Sequence, residues 1–292
     1  MTLALTASPY LDVGAHHGEG VVWDAARRRL LFVDITTNRI FDHDPATGTT
    51  HSVDIGRHVG AVAPRARGGF VVAVREGFGV VQDGRIEVVA APYARDPSIR
   101  MNDGACDPAG RFLAGSMAYD IRSGAGTLFR LDADLSLHVM LRDVSISNGI
   151  DWSSDGTRCF YVDTPTGRID VFDYDVGDGT MTNRQPFVTV DPAAGGPDGL
   201  TIDREGGVWV ALYGGSAVHR YAPDGELSCR VAVAGARLVT SCCFGGADHG
   251  DLYISTSTEH LSADERAAQP NAGRLFVVRP GWHGRPAPAF AG

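Results

Sequence analysis

Along the chain, apolar and polar positions alternate in short runs separated by Gly, Asp, Asn and Pro, and the 3.6-residue recurrence of an amphipathic helix is almost absent. The first stretch, 18–54, predicts strands near 20–23, 30–34, 39–43 and 49–54, with Asp44-Pro45 and Thr47-Gly48 as hairpin turns. Comparable units follow at 59–90, 101–141, 147–188, 197–233 and 240–290. A polar loop at 91–100 separates the second unit from the third, and an insertion with Pro192, Gly195, Gly196 and Pro197 follows the fourth.

Units that recur at roughly 40 to 50 residues and read as four strands each have the spacing of propeller blades, not of helical solenoids. The pattern therefore predicts an all-β chain, a six-bladed β-propeller of four-stranded blades forming a single domain over 1–292. The segment 3–13 has nowhere to pair locally. It is expected to complete the last blade and close the ring, which removes exposed sheet edges.

The repeats also share a chemical register. Taking Asp24, Asp107, Ser153 and Asp203 as equivalent first residues of a turn, the residues five places earlier are Glu19, Asn102, Asn148 and Asp198. A glycine follows each at once or after one residue, as Gly20, Gly104, Gly149 and Gly199. In a propeller the first strand of each blade lines the central channel, so this register becomes a ring of Glu19, Gly60, Asn102, Asn148, Asp198 and Thr240. Asn-Gly and Asp-Gly are also common turn formers. Four carboxylate or amide oxygens in one register, each set before an apolar strand, nevertheless suit a hard divalent cation.

Composition narrows the partners. The net charge of the 292 residues is −9, all 26 basic residues are Arg, and no basic block exists, so neither nucleic acid nor an anionic membrane surface is an expected partner. Residues 1–10 lack the charged and apolar regions of a signal peptide, and no apolar run approaches the roughly 20 residues of a membrane helix. Five scattered cysteines, Cys106, Cys159, Cys229, Cys242 and Cys243, read as reduced core residues of a cytoplasmic protein. The histidines are expected mostly at the surface, and Asp173 to Gly179 as a hairpin turn. Zinc-helix, nucleophile-elbow and phosphate-loop motifs are lacking.

Arg100-Met101-Asn102-Asp103-Gly104, Ser147-Asn148-Gly149, Pro197-Asp198-Gly199, Ser241-Cys242-Cys243-Phe244-Gly245-Gly246 and Gly18-Glu19-Gly20 together resemble the senescence-marker-protein/gluconolactonase (regucalcin-like) family over essentially the whole chain. The resemblance implies one divalent metal ion per chain (Ca, Zn, Mn or Mg) and hydrolysis of sugar lactones in carbohydrate metabolism. It maps the metal ligands to Glu19, Asn148 and Asp198, and substrate contacts to Arg100, Asn102 and Asp120, the last one methylene shorter than is usual in the family. His16-His17, ahead of Glu19, is not among the residues that carry the resemblance, and it leaves the preferred sugar open. Asp198 is the candidate general base, with metal-activated water as the alternative. The expected partner is a small sugar lactone such as glucono-, xylono- or arabinono-lactone, and the expected state a monomer or weak homo-oligomer. Two other functions stay open at this point: another ester- or phosphotriester-cleaving propeller, and a non-catalytic calcium-binding one.

Overall fold

The computed structural model describes residues 2–292. Four antiparallel four-stranded sheets succeed one another along the chain. They begin with the strands Gly18–Asp24, Val59–Pro64, Ile99–Cys106 and Ser147–Trp152. A nine-stranded sheet takes up the rest, from Gly196–Ile202 through Leu227–Ala232 and from Leu238–Gly245 through Arg274–Val278. Its two halves are hydrogen-bonded through one residue pair, Tyr213 with Leu238.

Those six leading strands pack against one another in order, and Leu238–Gly245 returns to Gly18–Asp24, so the inner strands form a closed ring. The architecture is a β-propeller. Its core is accordingly not central but divided into six apolar wedges, each filled from two neighbouring strand groups. Val59, Val62 and Val72 meet Leu31, Val33 and Ile40 in one of them. Trp209 and Val218 meet Phe244 and Ile254 in another. Strand alternation sends the vicinal cysteines apart: Cys242 enters one wedge and Cys243 the next. All five cysteines are free and buried.

The structure corrects several details. The N-terminal segment is two strands, not one. Ser8–Asp12 pairs antiparallel with Arg274–Val278, whereas Leu3–Thr6 runs parallel to Leu227–Ala232 in the neighbouring half-sheet. The stretch 240–290 supplies only two further strands beyond Leu238–Gly245, together with the short helix Ala263–Ala267. That helix carries a legible signal, since Ser262 and Glu265 form a reciprocal capping box. The final residues run as an irregular strap across other groups, with Arg285 reaching Asp151 and Phe290 buried between strands. His17, His43 and His219 are buried, against the expectation of surface histidines. Among the described residues no helix is long and apolar enough to cross a membrane.

Candidate functional site

The equivalent turn residues do what their side chains allow. Asp107 Oδ1 accepts the Ala109 and Arg111 amides, Asp203 Oδ1 accepts those of Glu205 and Gly207, Asp24 Oδ1 accepts that of Arg27, and Ser153 Oγ accepts that of Arg158. These turns fix where each inner strand ends, and so where the residues five places earlier stand.

Those residues lie inside the inner strands, not ahead of them, at a shared irregularity. Pairing with the second strand slips between Glu19 and Val22, Val59 and Ala61, Met101 and Gly104, Ser147 and Ile150, Pro197 and Leu200, and Val239 and Ser241. A bulge frees one or two residues from the ladder and re-aims their side chains. It recurs here in every leading strand of the ring. The glycines beside it serve close approach. A Cβ on Gly149 would sit 2.5 Å from the Leu200 amide nitrogen and one on Gly60 2.1 Å from the Asn102 carbonyl oxygen, both in the neighbouring inner strand.

Glu19, Asn102, Asp103, Asn148, Asp198 and Arg100 are all buried. A chain of hydrogen bonds orders the amides. Arg100 Nη1 donates to Asn102 Oδ1 at 2.5 Å, and Asn102 Nδ2 donates to Ser147 O at 2.7 Å and to Asn148 Oδ1 at 3.0 Å. Asn148 Nδ2 donates to Thr164 Oγ1, whose own proton goes to Pro197 O. Because that hydroxyl is already spent as a donor, it can only accept from Asn148. The Asn148 amide is thereby fixed with its nitrogen on Thr164 and its oxygen on the side of Asn102.

The carboxylates are less satisfied. Glu19 Oε2 accepts the Gly20 amide at 2.8 Å. Asp198 Oδ1 is buried without a hydrogen-bond partner among the described residues. Burial, reinforced by Asp103, pushes the Glu19 carboxyl up to about 8, and burial raises Asp103 to about 6. Asp198 lies well above the usual carboxylate range through burial first, then through the charges of Glu19 and Asp103. Arg100 offsets this in part. A buried acceptor without a partner and three mutually repelling acids are what a bound cation would resolve. Among the described residues no three His, Cys, Asp or Glu side chains converge as a metal cluster. A set of two carboxylates and one amide, Glu19, Asp198 and Asn148, fits a hard, oxygen-seeking ion completed by further oxygens.

Asp120 stands apart from this group. It is 65 % exposed and paired with Arg122 at 3.0 Å, and Arg122 also donates to Ser98. The sequence reading passed over three other features: Asp103 within the bulge, Thr164 as the anchor of Asn148, and the pair formed by His17 with Glu259. Only His17 had a sequence signal, as an unusual residue two places before Glu19.

Residues 17–258 match the family model described as SMP-30/Gluconolactonase/LRE-like region. Regucalcin of Xenopus laevis is 36 % identical over 283 residues, 94 % of this chain and 95 % of the relative. YvrE of Bacillus subtilis (strain 168), named as a candidate sugar lactone lactonase, is 36 % identical over 270 residues, 92 % of each chain. The crystal structure of a calcium-binding protein, regucalcin, from Agrobacterium tumefaciens superposes with a TM-score of 0.94 at 26 % identity, covering 99 % of both chains. With its closed ring of inner strands and a family match across most of its length, the chain belongs to the SMP-30/gluconolactonase family.

Proposed function

We propose that the protein is a metal-dependent hydrolase that opens sugar lactones to the corresponding sugar acids. The observation that carries this reading is the buried Asp198 Oδ1, without a hydrogen-bond partner among the described residues, in the same bulge register as Glu19 and Asn148 and under the charge of Glu19. The names of YvrE and of the family support the reaction class, and that of the Agrobacterium relative supports a divalent ion, calcium first. We count the two halves of the nine-stranded sheet as two blades, since one residue pair joins them, which makes six blades in one domain. Free, buried cysteines favour a reducing, cytoplasmic setting.

Glu19, Asn148 and Asp198 hold the ion in this scheme. When bound, such an ion supplies Lewis acidity toward a carbonyl oxygen and lowers the pKa of water it binds. Arg100, braced by Asn102 and by Met101 O, presents its remaining N–H groups to the lactone. Asp198, ionised, takes a proton from the attacking water as that oxygen bonds to the lactone carbonyl carbon. Collapse of the tetrahedral adduct breaks the bond to the ring oxygen, which receives the proton and leaves as the hydroxyl of the sugar acid. Asp120 joins the substrate contacts only by releasing Arg122.

Proton release from a panel of five- and six-carbon aldonolactones tests the reading, run with chelator and with Ca, Zn, Mn and Mg added back. The expected result is turnover that a chelator abolishes and an ion restores. Retained ion with no turnover on lactones or simple esters would leave a calcium-binding propeller instead.

A further inference from the structure

His17 and Glu259 come from opposite ends of the chain and meet at the entry to the inner-strand ring. His17 immediately precedes Gly18–Asp24 and bridges to Ser257, and Glu259 follows the strand Asp251–Ser257. The His17 backbone is clamped, its amide donating to Asp34 Oδ1 at 2.9 Å. Its ring Nδ1 contacts Glu259 Oε2, and the Glu259 amide donates to Ser257 Oγ at 2.9 Å. The carboxylate is thus held by one oxygen. The other, Oε1, has no hydrogen-bond partner among the described residues and is not sealed from solvent, and the Glu259 side chain is 22 % exposed.

Arg100 faces a matching situation. Its Nη1 is used by Met101 O and Asn102 Oδ1, while Nε and Nη2 have no protein acceptor among the described residues and are not sealed in. Of the carboxylates around this guanidinium, Glu259 acts on it most strongly, ahead of Glu19 and Asp198. Glu259 also acts on Tyr119, His58 and Tyr213, and Asp198 acts on Tyr213 as well. No direct ion pair joins Arg100 to Glu259. An unspent donor fork and an unspent carboxylate oxygen thus feel each other's charge without neutralising each other by contact. That combination suits a ligand carrying several hydroxyls, each able to donate to a carboxylate and accept from a guanidinium.

We propose that Glu259 accepts hydrogen bonds from substrate hydroxyls alongside Arg100, and that His17 is the positioning residue that aims it. The sugar-lactone reading above supplies the kind of substrate, and Glu259 accounts for selection of polyhydroxylated lactones over plain ones.

The test separates the two readings by using a ligand that cannot react. 1,5-Anhydro-D-glucitol has sugar hydroxyls but no carbonyl, and its binding to the ion-loaded protein is measured by calorimetry. Glu259→Gln keeps the shape and removes the charge, and is expected to weaken binding about tenfold, the scale of a hydrogen bond to a charged group. Glu259→Asp should retain part of the affinity. His17→Leu should resemble Glu259→Gln, and His17→Asn, which can place an amide N–H near the former Nδ1, should recover most of the loss. With D-glucono-1,5-lactone, Glu259→Gln should raise KM by a similar factor while kcat stays within about twofold, the signature of lost uniform binding. Equal binding of the polyol by parent and Glu259→Gln, or no binding by the parent, overturns the assignment. If the parent hydrolyses no lactone yet binds the polyol in a Glu259-dependent way, the lactonase reading fails and this one stands.

Discussion

Asp198 and Asn148 occupy equivalent bulges, yet only one of them can carry a proton. Asn148 is locked by Thr164 and Asn102 into offering its oxygen, whereas the unpartnered Oδ1 of Asp198 is free to act. Asp198→Asn preserves the shape and one oxygen but deletes the basic site. With ion in excess, this variant should still bind metal and lose roughly two to four orders of magnitude in kcat on the best lactone. Asn148→Asp adds charge to the ion site and should bind at least as tightly, with activity only partly reduced. Near-parental turnover of Asp198→Asn at saturating ion would make Asp198 a ligand alone. The proposed ion-site residues stood out in the sequence because a carboxylate or amide recurs five places before the turn in four of the six repeats. Glu259 did not, because it belongs to no repeat and gains its meaning only from a contact spanning more than 240 residues with His17.

At the scale of the element, the hairpin turns were readable and the bulges were not. An Asx turn advertises itself locally, since Asp107 and Asp203 satisfy amides two and four residues ahead. A bulge arises from how two strands pair, so the sequence placed Asn148 and Asp198 ahead of the strands that in fact contain them. The glycines were read as register marks, and the physical reason at Gly149 and Gly199, a backbone atom of the next group within 3 Å of the missing Cβ, is tertiary. The same turns also bear load. Asp203 is fully buried and accepts from Trp209 Nε1 at 2.8 Å and from Arg220 Nε at 2.7 Å, besides capping its turn. Asp203→Ala leaves Arg220, 5 % exposed at its side chain, as a buried cation without this partner. Removing one member of a buried pair costs about 3–5 kcal/mol. Chemical denaturation should register that loss, and ion affinity should fall with it in the protein that remains folded, because the Asp203 turn ends the strand that carries Asp198. A loss below about 1 kcal/mol, the scale of an exposed ion pair, would show that the pair contributes little.

For the whole molecule, the proposed ligands come from three different strand groups: Glu19 from the first, Asn148 from the fourth and Asp198 from the first half of the nine-stranded sheet. An ion held by them ties together parts of the ring that the apolar wedges join only pairwise. Its removal should therefore be felt as global stability. In the ion-free fold the Glu19 carboxyl lies at about 8 instead of its ordinary 4.5, chiefly through burial, and Asp198 and Asp103 are raised in the same direction. The folded state then keeps protons that the unfolded chain releases. The sign follows: stability is fully present below about 4.5 and is lost as the pH rises through that value toward about 8, at up to about 1.4 kcal/mol per pH unit for each such group. A cation that binds only the folded state reverses this by mass action, and more effectively where the carboxyls ionise readily. Thermal unfolding of chelator-treated protein should thus show a midpoint that falls between pH 5.5 and pH 8, and added calcium should raise it more at pH 8 than at pH 5.5. A midpoint that rises over this range without ion, or that calcium shifts equally at both ends, would mean that these buried acids do not hold the ion together.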